Sequence, residues 1–201
     1  MKKIIALIAA VVLIPVVASA QRFEYDGIEL VHGNRVESSI KLVFPMYFGV
    51  TAVPGYNFAT APGWKANTDY RPMKNFHYGL EIASLRFYSK ASHMETSLGL
   101  RWDFMNIYPS DLGDRMRATY FGVPLRFAYK AGRGKIFCGA SAQYLVSTRN
   151  ATDPFNSLRA SVEAGYAYGL LGFYVNYGAT PLFMAGAGNA HSLSFGLTLG
   201  I

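Results

Sequence analysis

The sequence predicts an all-β protein, an eight-stranded antiparallel transmembrane β-barrel with long extracellular loops and short periplasmic turns. Three observations predict it. Apolar and polar residues alternate with a period of two in eight segments, long and short connections take turns between these segments, and the first twenty residues resemble an export signal. A period of two is typical of strands, and the alternation of long and short connections is typical of outer-membrane barrels.

Residues 1–20 have the three parts of a signal peptide. Lys2 and Lys3 form a basic start, residues 4–17 are apolar, and Ala18-Ser19-Ala20 is a small-residue cleavage site. The apolar stretch is too short for a transmembrane anchor, and the absence of a Cys after the site argues against lipoprotein processing. Cleavage removes both lysines and so lowers the formal charge from +7 to +5.

Composition excludes several classes of protein. The chain is 51% hydrophobic and only 15% charged, whereas soluble domains average about 25% charged residues. Its aromatic content argues against disorder, and the single Cys138 argues against a disulfide-stapled domain. No long apolar run follows residue 20, so a helical membrane protein is not expected. The positive charge is spread out, and no basic block predicts nucleic-acid binding.

Eight segments carry the alternation. In the first, Ile40, Leu42 and Phe44 share one face with later apolar residues, and in the last, the same pattern continues to Ile201. We therefore expect the final strand to run to the last residue and to pair with the first strand. The segments are residues 40–50, 78–82, 98–104, 121–129, 136–146, 158–168, 171–177 and 193–201.

The connections between these segments differ in length in a regular way. Long polar loops are expected at residues 51–75, 109–117, 149–156 and 181–190, and short turns at residues 89–92, 131–134 and 169–170. In transmembrane barrels the long loops lie outside the cell and the short turns lie in the periplasm. An even number of strands then places both ends of the chain in the periplasm.

The polar face decides between a membrane barrel and a soluble one of the lipocalin kind. The residues on that face are mostly small and few of them are charged, as in Glu95, Ser97 and Gly99 of the third segment. A surface that faces water would carry more charged residues. We therefore expect the polar face to line the lumen and the apolar face to meet lipid. Aromatic residues near the segment ends fit membrane-interface girdles; they are Trp102, Tyr108, Tyr129, Tyr144, Tyr168 and Tyr177.

Some positions break the pattern. Pro45 and Pro124 fall within segments, where a bulge or a strand end is needed to accommodate them, and the second segment loses phase near residues 83–87, which predicts a bulge. We assign residues 21–37 to a periplasmic N-terminal segment and residues 38–201 to the barrel. Residues 28–31 fit either a short periplasmic segment or an extra strand, and we favour the segment because an extra strand makes the count odd.

Charged residues in the lumen phase form the main candidate site. A Lys or Arg turned toward lipid at mid-depth costs roughly 2–4 kcal/mol, whereas inward-facing charges can pair across the barrel. Our hypothesis is a plugged lumen held by such pairs; the alternative is that several of these charges lie near the water layers without partners. The residues are Lys41, Glu81, Glu95, Arg101, Asp103, Arg126, Lys135, Arg159 and Glu163.

The first long loop is the second candidate site. Exposed aromatic side chains together with Arg are typical of binding hot spots. Either these residues pack over the barrel mouth as a lid, or they contact a host, phage or partner protein. The residues are Tyr56, Phe58, Trp64, Tyr70 and Arg71.

Catalytic and metal sites are not expected. His191 and Ser192, with Glu163 or Glu81, would supply the residue types of a hydrolase triad. Adjacent strand residues point to opposite faces, however, so His191 and Ser192 should not converge. The acidic residues do not gather at metal-ligand spacing, and Cys138 lies in the lipid-facing phase. We expect neither a metal nor another cofactor.

The run Tyr120-Phe121-Gly122-Val123-Pro124-Leu125-Arg126-Phe127 and the tail from Leu193 to Ile201 resemble those of small outer-membrane β-barrel proteins of the porin-family or PorT-like kind. The resemblance covers most of residues 38–201 and implies the fold rather than an activity. It also implies a strand proline at position 124. The tail is similar to the C-terminal signal that the outer-membrane assembly machinery reads, but it ends in Ile201 where many such proteins end in Phe.

These patterns together predict an integral protein of the Gram-negative outer membrane. We expect a non-enzymatic membrane scaffold or surface-interaction protein with a plugged or very narrow lumen. The alternative is a narrow passive pore for small solutes, and a lipid-modifying enzyme is third. The expected partners are outer-membrane lipid, the assembly machinery during biogenesis, and a protein at the cell surface or within the envelope.

Overall fold

A computed structural model describes residues 29–32, 35–53, 75–90, 92–107, 115–151, 155–184 and 190–201. Its regular elements are all strands, and the described part of the chain contains no helix with the length and apolarity to cross a membrane. The strands are β1 (Glu29–His32), β2 (Arg35–Val43), β3 (Met46–Ala52), β4 (Phe76–Ser89), β5 (Met94–Ile107), β6 (Met116–Ala131), β7 (Gly134–Arg149), β8 (Leu158–Tyr168), β9 (Leu171–Gly178) and β10 (Leu193–Leu199).

The sheet closes into an antiparallel barrel. Each strand from β4 to β9 pairs with the strand that follows it in the chain, and the last strand, β10, pairs with β3. Both β2 and β3 pair with β4, β2 along residues 84–89 and β3 along residues 76–80, so together they make one wall strand. The wall therefore has eight strands, which confirms the predicted all-β, eight-stranded antiparallel barrel.

Pro45 marks the break between β2 and β3, and β4 has a bulge opposite it. The register of β4 shifts between Glu81 and Ala83, and the Glu81 N–H donates to the Pro45 carbonyl at 2.8 Å. The extra residue is Ile82. The sequence predicted both irregularities, and the bulge lies just before the range where the alternation lost phase. Because of it, the inward positions of β4 change from odd numbers to even numbers.

Pro124 lies inside β6, as the alternation predicted. On one side it pairs in register with Ser141 of β7. On the other side, the ladder to β5 is interrupted at Val123 and Pro124 and resumes with Leu125 opposite Leu98 in the same register. A proline has no N–H to donate, so the strand tolerates it only where the ladder omits a bond.

The N-terminal segment differs from the expectation. Residues 29–32, which we assigned to a periplasmic segment rather than to an extra strand, form β1 and pair with residues 35–39 of β2. In the described part of the chain β1 pairs with β2 alone, and the wall still contains eight strands because β2 and β3 share one position. The predicted signal peptide at residues 1–20 and the stretch 21–28 lie outside the described residues.

The end of the last strand also corrects the expectation. We expected the strand to continue to residue 201, but β10 ends at Leu199. Gly200 has a φ of 78°, a left-handed conformation that glycine adopts without strain, and it reverses the phase of the next residue. As a result, Ile201 turns inward and packs with Tyr47, Ala128 and Phe137 inside the barrel.

Short turns identify one end of the barrel, which we call the turn end; the opposite end is the loop end. Gly132-Arg133 and Gly169-Leu170 each form a two-residue hairpin connection, and both glycines have a φ of 61°. A glycine with positive φ at the first central position fits a type II′ turn. The connections at the loop end lie partly outside the described residues.

The two faces of the wall have opposite polarity. Outward side chains are large and apolar, and Ile136, Leu158 and Phe173 are each 64% exposed. In the middle of the barrel most inward side chains are polar or charged and are buried; Arg101, for example, is 1% exposed. The polarity of a water-soluble protein is therefore inverted in this barrel.

Candidate functional site

The barrel interior holds a cluster of ionisable side chains, which we call the charge network. Each belongs to a strand whose alternation directs it inward, and with the exception of Arg86 all are at least nine-tenths buried. Five are basic and four are acidic, so charge is nearly balanced. The members are Glu81, Arg86, Glu95, Arg101, Asp103, Arg126, Lys135, Arg159 and Glu163.

Glu163 is at the centre of the network. Its two carboxylate oxygens accept hydrogen bonds from two different arginines, from Arg101 Nη1 at 2.6 Å and from Arg126 Nε at 2.7 Å. Glu163 lies on β8, whereas Arg101 lies on β5 and Arg126 on β6, so these bonds cross the lumen. The carboxylate therefore joins β8 to two strands with which β8 does not pair in the sheet.

Tyr47 and Glu81 extend this centre toward β3 and β4. Arg126 also donates to Glu81 and to the Tyr47 hydroxyl, and that hydroxyl donates to Glu81 at 2.7 Å. The Arg101 guanidinium lies 5.1 Å from the centre of the Tyr47 ring, which is within cation–π range. One buried tyrosine thus contacts both central arginines.

Asp103 organises the side nearer the loop end. It accepts hydrogen bonds from Arg101 Nε at 3.1 Å and from the Gln143 amide, and its other oxygen lies 3.3 Å from His77 Nε2. Arg159 lies 3.7 Å from the same carboxylate and donates to Gln143 at 2.7 Å. Further neutral partners complete the layer: Asn176 accepts from Arg159 at 2.9 Å, and Tyr174 bonds His77 Nδ1 at 2.8 Å.

A separate group lies nearer the turn end. Glu95 binds Lys135 Nζ at 2.9 Å and Arg86 Nε at 3.0 Å. Arg86 also donates to the Gly200 carbonyl at 2.9 Å, which ties the chain after β10 to β4. Because Glu95 is shared by two cations, this group has an excess of positive charge.

The loop end is covered by apolar side chains, which we call the loop-end cap. The rings of Phe155 and Phe183 are tilted by 37° to each other with their centres 5.0 Å apart, and the two residues form a bridge between two chain segments outside the wall strands. They pack with inward residues of β5 and β6, and the Tyr120 hydroxyl donates to the Asn156 carbonyl at 3.1 Å. The cap consists of Met105, Ile107, Met116, Phe155, Leu182 and Phe183.

Small residues make this packing fit. Gly79 faces Asp103 across the β4–β5 pair, and a Cβ atom at Gly79 would overlap the Asp103 carboxylate. Gly49 and Gly196 lie opposite each other on β3 and β10, and a Cβ at Gly49 would come 2.8 Å from the Tyr174 hydroxyl. These three glycines therefore provide space for larger neighbours.

The structure brings most of the expected lumen charges together: Glu81, Glu95, Arg101, Asp103, Arg126, Lys135, Arg159 and Glu163. Lys41 lies opposite Arg86 in the β2–β4 register and is only partly buried. Because directly opposite residues share a face of the sheet, Lys41 keeps the lumen phase that the alternation assigned to it.

Sequence reasoning missed several members of the site. Arg86 was missed because the bulge moves it into the inward phase; the apolar residues Leu85 and Phe87 on either side of it carry that signal. Neutral partners were missed because only charges were searched, although their strand phase directs them inward. They are Tyr47, His77, Gln143, Tyr174 and Asn176.

The loop, catalytic and metal candidates lie apart from the charge network or outside the described residues. The loop residues Tyr56, Phe58, Trp64, Tyr70 and Arg71 lie outside the described residues. His191 stacks on Tyr177 with ring centres 5.5 Å apart, whereas the Ser192 hydroxyl accepts a bond from Arg159 on the inward face. The described residues include no cluster of His, Cys, Asp or Glu suited to a metal ion, and Cys138 is exposed on the outward face.

The ion pairs of this arrangement connect separate strands. Glu81, Glu95 and Glu163 accept hydrogen bonds from cations on other strands, so these pairs lock wall strands together across the lumen. Comparison of the chain with protein-family models, with curated proteins and with solved structures gives no match. The function must therefore be argued from the inverted polarity and the filled interior.

Proposed function

We propose that this chain is an integral outer-membrane β-barrel with a plugged lumen, acting as a non-enzymatic membrane scaffold or surface-interaction protein. One observation supports the proposal most strongly. Arginine and glutamate side chains are buried inside the barrel while phenylalanine, leucine and tyrosine side chains are exposed outside it. In water this arrangement would leave a large apolar surface unprotected, whereas in a bilayer the same surface is solvated by lipid.

The height of the apolar surface supports a transmembrane position. The outward residues of β7 from Ile136 to Val146 extend about 33 Å along the strand, which at the usual strand tilt gives about 25 Å across the bilayer. That is the height of the apolar band of outer-membrane barrels.

Aromatic residues support the same position. Tyr129 and Tyr168 are exposed on the outward face near the turn end, and Tyr144 and Tyr177 near the loop end. Tyrosines at both rims of an apolar band are typical of membrane interfaces. The predicted signal peptide and the resemblance to porin-family and PorT-like barrels agree with a place in the outer membrane.

The interior favours a scaffold over a pore. Eight strands leave a lumen that side chains can fill. In the described residues, the charge network occupies the middle of that lumen, and the loop-end cap lies above it. An ion would have to displace the pairs around Glu163 and Asp103 to pass. The outward position of His191 and the inward position of Ser192 give no support to the lipid-modifying alternative.

Planar-bilayer recording of the purified full-length barrel tests the plugged lumen. Insertion is first verified by the change in gel mobility between folded and heated protein. We expect inserted protein to give no large, stable conductance steps, since the charge network excludes a continuous water column. Steady steps from inserted protein would contradict the proposal and would favour the passive pore.

A loop variant tests the surface-interaction role. Deletion of residues 54–72 removes the aromatic and Arg candidates, and a second variant keeps the loop length but replaces Tyr56, Phe58, Trp64, Tyr70 and Arg71 by Ser. We expect both variants to fold and to lose binding at the cell surface. If both instead fail to fold, the loop is a lid and not a contact site.

A further inference from the structure

Two arginines face each other on the outside of the barrel near the loop end. Arg117 of β6 is directly opposite Arg149 of β7 in the ladder, and both are exposed. Arg117 shares its face with the outward residues Phe121 and Val123. Like charges at directly opposite positions destabilise a sheet, so this pair needs an explanation.

Among the described residues, the wall supplies no carboxylate on that face. The carboxylates of the described ion pairs are those of Glu81, Glu95, Asp103 and Glu163, and all of them point into the lumen. The two guanidinium groups are therefore separated by the wall from the acidic half of the charge network. An anion that approaches from outside the barrel can offset their mutual repulsion.

The pair borders a groove that combines charge with aromatic surface. The groove has a volume of about 620 Å³ and is lined by Arg115, Arg117 and Arg149 at one side and by Phe48, Phe76, Tyr78 and Phe104 at the other. The rings of Tyr78 and Phe104 stack with centres 4.6 Å apart. Phe76 is 52% exposed and Tyr78 42% exposed, so the aromatic side is open to the surroundings.

We propose that this groove binds the phosphate headgroup of an outer-leaflet lipid, with Arg117 and Arg149 holding the phosphate and the aromatic side contacting an acyl chain. Arg is the side chain best suited to phosphate because its planar fork donates two parallel hydrogen bonds. A phosphate between the arginines also removes the repulsion that their opposition creates. The inference rests on the proposed membrane location, since only there do a headgroup and a chain meet the wall together.

Lipid retention after refolding tests the proposal. Full-length barrel is refolded in vesicles of phosphatidylcholine alone and of phosphatidylcholine with diphosphorylated lipid A, extracted in mild detergent, and analysed by native mass spectrometry. We expect the double variant Arg117→Gln/Arg149→Gln to retain at least about tenfold less lipid A than the unmodified chain, because two charge-assisted bonds are lost. The control Lys90→Gln/Arg133→Gln changes two exposed basic residues at the turn end and should retain lipid A normally.

Thermal unfolding in a neutral detergent separates lipid binding from a structural role. Without an anionic lipid, the double variant should unfold at a higher temperature than the unmodified chain, because the repulsion is gone. Addition of lipid A should raise the unfolding temperature of the unmodified chain only. A double variant that is less stable without lipid and keeps its lipid A would overturn the proposal.

Inorganic phosphate distinguishes the source of the headgroup. We expect it to leave bound lipid A in place, because the acyl contact adds affinity; displacement by phosphate alone would indicate a free-phosphate site and would overturn the lipid assignment. Failure of the proposed function and failure of the lipid-binding inference give different results. A chain that inserts into neither type of vesicle contradicts the proposed function, whereas inserted variants that retain lipid A equally contradict only this inference.

Discussion

Glu163 joins two buried arginines, each of which also binds one further carboxylate, Arg101 that of Asp103 and Arg126 that of Glu81. Arg101 and Arg126 both bond its carboxylate, and all three side chains are buried. Removing one partner from a buried ion pair leaves an uncompensated charge. The stability of the barrel should therefore be far more sensitive at Glu163 than at neutral lumen residues on the same strand.

We expect Glu163→Gln to lower the free energy of unfolding by roughly 3–5 kcal/mol. The measurement is urea unfolding of the barrel in bilayers. Ser161→Ala is the control, because Ser161 lies two residues away on the same face and exchanges hydrogen bonds only with Ser141 and Asn176. We expect this control substitution to lower the free energy of unfolding by about 1 kcal/mol. An equal decrease in the free energy of unfolding for the two variants would show that the ionic contacts of Glu163 do not stabilise the barrel.

Gly79 is the second sensitive position. A methyl group there would overlap the Asp103 carboxylate and displace it from Arg101 and Gln143. We expect Gly79→Ala to cost about 1–3 kcal/mol, the usual effect of overpacking. Ala140→Val on the exposed face of β7 adds more volume but should leave the same unfolding curve unchanged, since its side chain points away from the lumen. A larger loss at position 140 would contradict the assignment of the two faces.

At the scale of the element, the bulge at Ile82 sets which residues of β4 enter the lumen. Before the bulge, His77, Gly79 and Glu81 point inward; after it, Ser84 and Arg86 do. Since strand side chains alternate, removal of one residue would exchange the faces of everything that follows. Arg86 would then face outward, away from Glu95.

Deletion of Ile82 should therefore prevent the barrel from reaching its folded, heat-modifiable form on a gel. Ile82→Ala is the matched control, because it removes most of the side chain but keeps the register. We expect the alanine variant to fold with a yield close to that of the unmodified chain. A deletion variant that folds equally well would mean that β4 tolerates either register.

The strands illustrate how much local pattern can predict. Alternation located all eight wall strands and, apart from the part of β4 after its bulge, their two faces, because each strand has one apolar side that faces outward and one side that faces the lumen. It did not locate the inward turn at Gly200 or the strand at residues 29–32. The inward turn depends on a backbone conformation, and the short strand depends on pairing with β2, and neither has a periodic signal.

At the scale of the whole molecule, sequence indicated which charges lie inside but not which of them pair. Glu163 and Arg101 are 62 positions apart, and their contact depends on the closure of the barrel. Arg86 was not assigned to the lumen, because the Ile82 bulge changes the phase of β4 without changing the composition. The inverted polarity can thus be predicted from the alternation of residues in the sequence. The pairing within the charge network depends on the closed barrel and cannot.

The central claim is that the outer face of this barrel meets lipid and that its lumen holds no water column. Cys138 provides a direct probe, because it is exposed on the outward face of β7, while Ser141 on the same strand is buried on the inward face. The protein with its native Cys138, and the variant Cys138→Ala/Ser141→Cys, are embedded in bilayers and treated with a charged maleimide or an apolar one.

We expect the apolar reagent to label Cys138, and the charged reagent to label neither thiol until the protein is unfolded. Protection of the thiol at position 141 from both reagents is the result predicted for a filled lumen. Labelling of Cys138 in the folded protein by the charged reagent would contradict the lipid-facing surface, and labelling of the thiol at position 141 would contradict the plugged lumen.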